Sequence, residues 1–561
     1  YSGGTLIAGG TVQISRDGNL GAAGSAVQMD NGTLRTTSTL DLGRPISVTG
    51  LGGTLDTADG TQLTVTSAIS GDGALRKDGT GTLVLTNANA YSGGTTVARG
   101  TLQLGHGGSS GSVLGDISND ATLAFNRGDL FTYSGVISGS GNVQQIGSGT
   151  TLLTASNPYT GDTQIDSGRL LVGAAGTPSA ALAGPGTTSV AAGTMLGGYG
   201  TVAGTVNNRG TLAVANAVDL FGADGAGSFT VGSLNNGGVV QLGGAGTGNR
   251  LQVSTYVGNN GVINLNTRLE GVGSPSDRLV LNGGSASGST TLNITSVGGD
   301  GAPTPGNGIL LVDAQGGATT TAGAFRQGNA VAAGPFAYTL YRGSQDASAP
   351  ESWFLRSRRT DDNNANVVPP TPEPDYRKEV SVDTALPSQM LGYGMSVLGT
   401  LHDRLGEESS RRVATGADRG PGGGWIRAIG SDGKWKGDRD GIYGDGPSYD
   451  GNMQALQAGM ELFRGESSGG ARTFGGFNLT AGRGDGDVRH YDSSFAGRNR
   501  FNARTIGLYL THFGAGNGYV DAVVQGTWYD TRAISADNRR ITPDGFGILG
   551  SLEGGYPFKL G

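Results

Sequence analysis

The chain has 561 residues, a formal net charge of −7 and no cysteine, and glycine fills 108 of its positions. Its length predicts several domains, its negative charge gives no basic surface for nucleic acid, and the lack of cysteine excludes disulfides and thiolate metal sites. Glycine follows no three-residue period and proline occurs only 18 times, which excludes collagen. No window approaches 18 consecutive apolar residues, so the sequence predicts no membrane-spanning helix.

The first third of the chain repeats itself. Residues 91–104 match residues 159–172 and 1–14, and residues 69–86 match 137–154. Each unit alternates Thr, Val and Leu between glycine corners, which predicts short strands joined by tight turns. The offset of about 68 residues corresponds to about three coils of roughly 20 to 25 residues. The pattern predicts a parallel β-helix, and because Tyr1 opens inside a repeat unit, we expect further repeats and a signal peptide to precede it.

From Ser276 onward the strands become more apolar and carry larger side chains. Stacked coils leave an open end that needs a cap, so we expect this junction to be the most stable part of the repeat region. Its predicted core residues are Leu279, Leu310, Val312, Leu340, Trp353 and Leu355.

A proline-rich spacer at Pro369–Pro374 precedes a helical pattern at 387–405. One stripe of that helix contains Leu391, Met395, Leu398, Leu401 and Leu405. Glycine costs a helix about 1 kcal/mol relative to alanine, so Gly392, Gly394 and Gly399 indicate a place that does not tolerate bulk. The pattern predicts a helix that fills a narrow pore, with His402 and Arg404 among its polar residues. An ordinary packing helix is the alternative.

After Gly423 the sequence alternates over six predicted strands of about ten residues, with one apolar face and one polar or small face. This is typical of a lipid-embedded barrel. The predicted lipid-facing residues are Leu456, Met460, Ile506, Leu508, Leu510, Val520, Val524 and Trp528, and the predicted lumen-facing residues are Glu461, Asp521 and Glu553. Six strands are too few to close, and open edges are costly in lipid. We therefore expect the barrel to continue beyond Gly561.

These segments together resemble autotransporters, the type Va secretion proteins of Gram-negative bacteria. The resemblance rests on the Tyr-Ser-Gly-Gly-Thr repeats, Ser276–Leu279, Trp353–Leu355, Tyr376–Val380 and Gly399–Leu405, and it covers essentially the whole chain. It implies a β-helical passenger at 1–255, an autochaperone-like junction at 256–358, a linker at 359–380, a pore-threading helix at 381–408 and the first half of a twelve-stranded barrel at 423–561.

The predicted fold class is accordingly all-β: a right-handed parallel β-helix, a single α-helix and an incomplete antiparallel transmembrane β-barrel with about six of twelve strands. The resemblance also implies an outer-membrane barrel with its passenger at the cell surface or released. Its partners would be outer-membrane lipid, the barrel-assembly machinery, periplasmic chaperones and a host-surface receptor. No nucleic acid is expected.

Several motifs have competing interpretations. Arg127-Gly128-Asp129 and Arg483-Gly484-Asp485 spell an adhesion triplet, but chance triplets are expected in so glycine-rich a chain. Two Gly-x-Ser-x-Gly sequences lack the strand-to-helix context of a nucleophile elbow. The four histidines have no metal-ligand spacing, and acidic residues such as Asp162 fit turns better than a glycoside-cleaving groove. The sequence therefore predicts no catalytic, cofactor-binding or metal residue.

The leading hypothesis is a protein that displays or secretes its own β-helical passenger, which is adhesive and associated with virulence. A β-helical carbohydrate-active enzyme and a binding rod like those of tail fibres are the alternatives. An effector domain ahead of Tyr1 stays open.

Overall fold

The computed structural model describes residues 1–358, 374–405, 423–437 and 446–558. It separates into two compact units, unit 1 at Tyr1–Thr360 and unit 2 at Asp361–Gly561. The proline-rich spacer lies outside the described residues except for Pro374, and so do the side chain of Leu405 and residues 406–408 of the predicted pore helix.

Unit 1 consists of short strands. The strands up to residue 172 are β1 (Thr5–Ala8), β2 (Thr11–Ile14), β3 (Val27–Asp30), β4 (Gly32–Thr36), β5 (Leu40–Leu42), β6 (Ile46–Val48), β7 (Gly53–Thr57), β8 (Gln62–Val65), β9 (Ile69–Gly71), β10 (Leu75–Asp78), β11 (Thr82–Leu85), β12 (Thr95–Val97), β13 (Thr101–Leu104), β14 (Ile117–Asn119), β15 (Thr122–Phe125), β16 (Leu130–Tyr133), β17 (Ile137–Ser138), β18 (Asn142–Gln145), β19 (Thr150–Leu153), β20 (Ser156–Asn157), β21 (Thr163–Ile165) and β22 (Arg169–Val172). The strands from residue 181 are β23 (Ala181–Leu182), β24 (Thr188–Val190), β25 (Met195–Gly198), β26 (Thr201–Asn208), β27 (Thr211–Val214), β28 (Ser228–Asn236), β29 (Val239–Gln241), β30 (Arg250–Thr267), β31 (Arg278–Asn282), β32 (Ser285–Ser296), β33 (Ile309–Gln315), β34 (Thr319–Thr320), β35 (Phe325–Gln327), β36 (Val331–Ala333), β37 (Phe336–Arg342) and β38 (Trp353–Arg356). Short 3-10 turns lie at Asp17–Leu20, Ala215–Ala217 and Asp219–Phe221.

These strands form the sheets of a parallel β-helix. β2, β4, β7, β10, β12, β14 and β17 build one seven-stranded sheet in which each strand pairs in parallel with the equivalent strand of the next coil. Leu63, Leu83, Leu102, Leu123 and Val143 stack in register in another sheet, and all five are fully buried. The register advances by about 20 residues per coil, which is the spacing of a solenoid. The apolar core is therefore one continuous column.

The sequence repeat encodes polar contacts inside this column. The hydroxyl groups of Tyr91 and Tyr159 are buried and bond the hydroxyl groups of Thr95, at 2.8 Å, and Thr163, at 2.5 Å. Two positions before each tyrosine, the side-chain oxygens of Asn89 and Asn157 accept the backbone N–H of Ile69 and Ile137, each at 2.9 Å. Buried polar groups need such partners, which explains the Tyr-x-Gly-x-Thr spacing. The asparagines are a part of the repeat that the sequence analysis missed, although both copies align.

The far end of unit 1 changes to antiparallel pairing. β38 pairs with both β33 and β37, and β37 pairs with β36. Trp353 of β38 packs edge-on against Phe325, with 5.4 Å between ring centroids. Antiparallel strands with large side chains cover the last parallel coils, as a solenoid end requires.

The predicted junction core is mostly where it was expected. Leu279, Val312, Trp353 and Leu355 are buried, and Leu340 is partly buried against the core. The prediction for Leu310 is wrong: this residue is only half-buried, whereas Ile309 and Leu311 beside it are fully buried. The pairing of β33 with β38 shifts register between Leu310 and Val312, so alternation is interrupted and Leu311 and Val312 are both buried while Leu310 is not.

Unit 2 contains a long-stranded antiparallel sheet and two helices. Its strands are β39 (Gly424–Lys436), β40 (Ser448–Glu466), β41 (Arg472–Arg489), β42 (Phe495–Phe513), β43 (Tyr519–Ser535), β44 (Arg540–Ile541) and β45 (Asp544–Gly555), and its helices are α1 (Lys378–Leu398) and α2 (Leu401–Leu405). The six long strands are between 12 and 19 residues long, longer than the predicted ten. The long strands pair antiparallel in chain order, and β45 pairs with β43 because the strand between them in the chain, β44, is only two residues long. α1 contacts all six long strands.

The helix differs from its predicted form in two ways. It begins at Lys378, and Pro387 lies inside it rather than at its first turn. It is also broken at Gly399, whose φ of 61° ends α1 before Thr400 caps α2 by reciprocal bonds with Asp403. Among the described residues, no helix is both long and apolar enough to cross a membrane.

Candidate functional site

The candidate site of unit 2 is the interface between its helices and its sheet. Tyr393 of α1 is fully buried, and its ring packs edge-on against Phe501, at 5.5 Å, and Tyr529, at 6.0 Å. Leu401 of α2 is buried in a second cluster with Phe474 and Tyr509. The helices are therefore anchored by aromatic groups that point from one face of the sheet.

A buried ion pair fixes the end of α2. Arg404 donates from Nη2 to Oδ1 of Asp521 at 2.7 Å, and the two side chains are 1% and 2% exposed. The Arg404 guanidinium also lies 4.6 Å from the centre of the Tyr509 ring. Glu553 accepts the backbone N–H of Leu401 at 2.9 Å. Removing one partner of such a pair costs about 3–5 kcal/mol, so this end of the helix has one strongly preferred position.

Polar residues of the sheet also bond the helix backbone. Gln525 donates to the carbonyl of Gly394 at 2.8 Å, Tyr529 to that of Met390 at 2.9 Å, and Asn499 to that of Val382 at 2.9 Å. These carbonyls belong to residues inside α1 and are reached by side chains of β42 and β43. Because these bonds recognise backbone rather than side chains, they fix the position of the helix with few demands on its sequence.

The face that α1 turns to the sheet is not the predicted stripe. Leu391 and Met395 are 54% and 62% exposed and do not face the six described strands, so their predicted contact with the pore wall stays a prediction. The contacting face instead contains Val382, Ala385, Leu386, Gln389, Tyr393 and Val397. A lumen lined with polar and small groups selects tyrosine, glutamine and alanine as well as leucine, which a search for an apolar stripe overlooks.

The helix glycines have different roles. A Cβ at Gly394 would lie 2.5 Å from Cδ1 of Leu549 and one at Gly399 would lie 2.4 Å from Nη1 of Arg427, so those side chains would have to move, and the φ of 61° at Gly399 also favours glycine. A Cβ at Gly392 would have nothing within 4 Å among the described residues, so its steric role stays a prediction. Of the other predicted pore residues, Leu398 is half-buried and His402 is exposed beside the Tyr519 ring at 5.9 Å.

The predicted faces of the barrel strands separate cleanly. Asp521 is fully buried, and Glu553 and buried Glu461 lie on the same face; Glu461 pairs with Arg464 at 2.8 Å. The predicted lipid-facing residues are all exposed on the opposite face: Leu456, Met460, Ile506, Leu508, Leu510, Val520, Val524 and Trp528. The sheet therefore has one polar face toward the helices and one apolar face away from them.

The Arg127 triplet is built into the fold of unit 1. The Arg127 guanidinium is buried and donates to both Asp129 oxygens, at 2.9 and 2.8 Å, and to the carbonyls of Gly111 and Ser109. It also lies 4.6 Å from the centre of the Phe131 ring. An adhesion triplet must offer a free arginine, so the prediction of an adhesion site at Arg127, Gly128 and Asp129 is wrong. The second triplet, at Arg483, lies within β41.

Lys77 and Asp277 are fully buried ionisable residues of unit 1. Nζ of Lys77 donates to the carbonyls of Asp78, at 2.6 Å, and Gly79, at 2.7 Å, and burial lowers its pKa to about 8. Asp277 accepts the backbone N–H groups of Gly248, Asn249 and Asn266 at 2.8 to 2.9 Å. Burial raises the pKa of Asp277 to about 6 against the opposing effect of these bonds. Both groups join successive coils from inside.

No arrangement for catalysis or metal binding is evident in the described part of the chain. No group of three His, Asp or Glu side chains there could hold a metal ion. His490 bonds Ser381 at 2.6 Å and His512 bonds Thr473 at 2.8 Å, so both link neighbouring elements. Asp162 accepts the N–H of Thr187 at 2.8 Å as a turn residue.

Three family models match the chain. Residues 424–561 match the autotransporter beta-domain, residues 228–340 match the type 1 autochaperone domain, and residues 1–14, 75–104 and 143–172 match the passenger-associated-transport-repeat. The three repeat matches include the Tyr1, Tyr91 and Tyr159 units found in the sequence.

Three relatives are similar to parts of the chain, and two of them are named as autotransporter adhesins. The uncharacterized protein YuaQ of Escherichia coli K12 is 28% identical over 80% of this chain and 30% of its own length. The adhesin BmaC autotransporter of Brucella suis is 41% identical over 26% of this chain and 4% of its own length. The autotransporter adhesin AIDA-I of Escherichia coli is 24% identical over 56% of this chain. The chain spans less than a third of the length of each of these three relatives.

A β-helical repeat unit followed by a beta-domain sheet with a helix on its polar face is the architecture of an autotransporter. The repeat, autochaperone and beta-domain matches together show that the chain belongs to the type Va autotransporters. Its C-terminal barrel sheet lies in the outer membrane and its passenger lies at the cell surface.

Proposed function

We propose that unit 1 is an adhesive, non-catalytic rod whose export is driven by folding of its junction. In this proposal residues 1–255 are passenger, 256–358 the junction, 359–380 the linker, 381–408 the pore-threading helix and 423–561 part of the barrel. The barrel-assembly machinery, periplasmic chaperones and a surface receptor are its proposed partners. The relatives named adhesins support the adhesive role.

The observation that carries the adhesive role is a row of uncharged polar side chains along the outside of the rod. Gln144, Gln164, Ser189, Asn207 and Asn235 occupy one position on consecutive coils. Asn235 donates to Asn207 at 2.8 Å, and Gln144 to Gln164 at 3.4 Å. Such a row offers many evenly spaced hydrogen-bonding groups without charge, which suits a repetitive polar ligand on a host surface.

The export part of the proposal rests on the junction. Its antiparallel strands β36, β37 and β38 close one end of the coil stack, and each coil upstream pairs only with its neighbours. A folded junction can therefore template the next coil as it emerges. Stacking of each emerged coil would bias movement of the passenger out of the cell without nucleotide hydrolysis.

The adhesive role is tested by charge reversal on the polar row. Replacing both Gln164 and Asn207 with glutamate should lower attachment of cells displaying the protein by roughly tenfold, because two carboxylates disrupt the uncharged row. The matched control is Ser118→Glu with Thr96→Glu, on an outward row of another sheet. Equal attachment of both variants, at equal surface levels, would contradict the assignment of this face.

A further inference from the structure

An arginine-rich cleft lies on the membrane-facing side of the barrel sheet. The cleft has a volume of about 610 Å³, and its charged lining residues are Arg483, Asp485, Arg500, Asp530, Arg532 and Arg540. These four arginines and two aspartates form a basic patch on a chain whose net charge is −7. A basic patch on an acidic chain favours an anionic partner at this place.

The cleft directly adjoins the apolar face of the same strands. Arg500 of β42 points to the same side as Ile506 and Leu508, and Arg532 of β43 to the same side as Val524 and Trp528, because alternate residues share a face. Asn502 and Arg504 separate Arg500 from Ile506, and Asp530 separates Arg532 from Trp528, so the arginines lie past the end of the apolar band, on the side where lipid head groups begin.

Two arginines of the cleft are direct neighbours in the sheet, and Asp485 stands opposite Arg500 on the other neighbouring strand. Arg500 and Arg532 stand directly opposite each other on paired strands, and like charges at such positions destabilise a sheet. Within the described residues neither forms an ion pair, whereas nearby Arg498 and Arg504 pair with Asp487 and Asp530. Two adjacent guanidinium groups match a phosphate, which accepts bidentate bonds.

The end of the sheet that carries the cleft also packs against the start of α1. Val382 and Ala385 contact Val488, Ala496 and Ala533 at this end. In the proposed function the chain ahead of α1 continues to a passenger outside the cell, and on that basis we assign this end to the outer leaflet. We propose that the cleft binds the anionic, phosphate-bearing head group of an outer-leaflet lipid, an inference that rests on the proposed function.

The test uses the full-length protein in zwitterionic detergent micelles. It is titrated with phosphatidylglycerol carrying brominated acyl chains, which quench the outward-facing Trp528, and in parallel with brominated phosphatidylcholine. We expect half-maximal quenching at a roughly tenfold lower concentration of the anionic lipid, since each basic residue near a membrane surface adds attraction. Equal concentrations for the two lipids would overturn the proposal without any variant.

Three double variants and one competitor sharpen the test. The double change Arg500→Gln with Arg532→Gln should abolish most of the preference, and Arg500→Lys with Arg532→Lys should keep only part of it, because the charge stays but the bidentate bonds of guanidinium are lost. Arg35→Gln with Arg99→Gln removes the same charge from exposed passenger positions and should change nothing. A preference that persists in the first variant, or that inorganic phosphate alone abolishes, would overturn binding of a lipid head group.

Discussion

Lys77 shows how a repeat tolerates different residues at one buried position. The next match to the repeat model has Gln145 there, and both side chains donate to the carbonyl two residues on, at 2.7 Å from Lys77 and 2.8 Å from Gln145. Glutamine makes this bond without a buried charge. The position selects a donor of the right length rather than a positive charge.

The exchange Lys77→Gln should therefore preserve or raise the stability of the coil at pH 7. The folded pKa of Lys77 is about 8, below its unfolded value of 10.5, so its contribution to stability rises from pH 8 to 10.5 in the wild type. Hydrogen exchange of the β10 and β12 amides should show this rise in the wild type but not in the variant. Lys77→Leu is the control that leaves carbonyls unpaired and should lower protection. Lower protection in Lys77→Gln at pH 7 would contradict the interpretation.

For Asp277, in the junction, we expect the stability to depend on pH in the opposite direction from Lys77. Its folded pKa of about 6 lies above the unfolded value of 3.8, so the folded state binds the proton more tightly and stability falls as pH rises from 3.8 to 6. The size of this fall is about 2–3 kcal/mol. Asp277→Asn should remove the pH dependence and lower stability at every pH, because its amide group faces a backbone N–H. Thermal unfolding of both proteins between pH 4 and 7 measures this, and identical pH profiles would contradict it.

At the scale of elements, the sequence predicted that a helix precedes the barrel strands, but it did not predict which face of the helix contacts the described strands. Its glycines and its polar end indicated a confined position, and Arg404 does meet Asp521. The stripe of leucine and methionine lies on the other side of the helix, because the six described strands contact the helix through Tyr393 and through bonds to backbone carbonyls. Backbone recognition leaves no trace in a hydrophobic pattern.

The buried Arg404–Asp521 ion pair should contribute strongly to holding α2 against the sheet. Arg404→Met leaves Asp521 buried without its partner and should destabilise unit 2 by about 3–5 kcal/mol, while the double change Arg404→Met with Asp521→Leu should recover most of that. Arg498→Met breaks a half-exposed pair with Asp487 and should cost at most about 1 kcal/mol. Urea denaturation of the full chain in detergent compares the three. Equal losses for Arg404→Met and Arg498→Met would contradict the assigned role.

At the scale of the whole molecule, the periodicity of the sequence predicted the architecture. It did not predict the surroundings of individual side chains. The repeat offset predicted a parallel β-helix because stacked coils require equal spacing, and strand alternation predicted the two faces of the barrel sheet. The Arg127 triplet and Leu310 were misjudged because their surroundings are made by residues distant in sequence, such as Gly111 and the facing coil. The buried asparagines Asn89 and Asn157 were visible in the repeat alignment but were not considered.

The central claim is that a folding junction drives the passenger to the cell surface. Leu311→Asp places a charge in the buried core of the junction, whereas Leu51→Asp changes an exposed leucine of the passenger and serves as the control. Antibody labelling of an N-terminal tag on intact cells should fall roughly tenfold in Leu311→Asp and stay at the wild-type level in Leu51→Asp, with equal barrel in the outer membrane. Wild-type surface labelling in Leu311→Asp would contradict the claim.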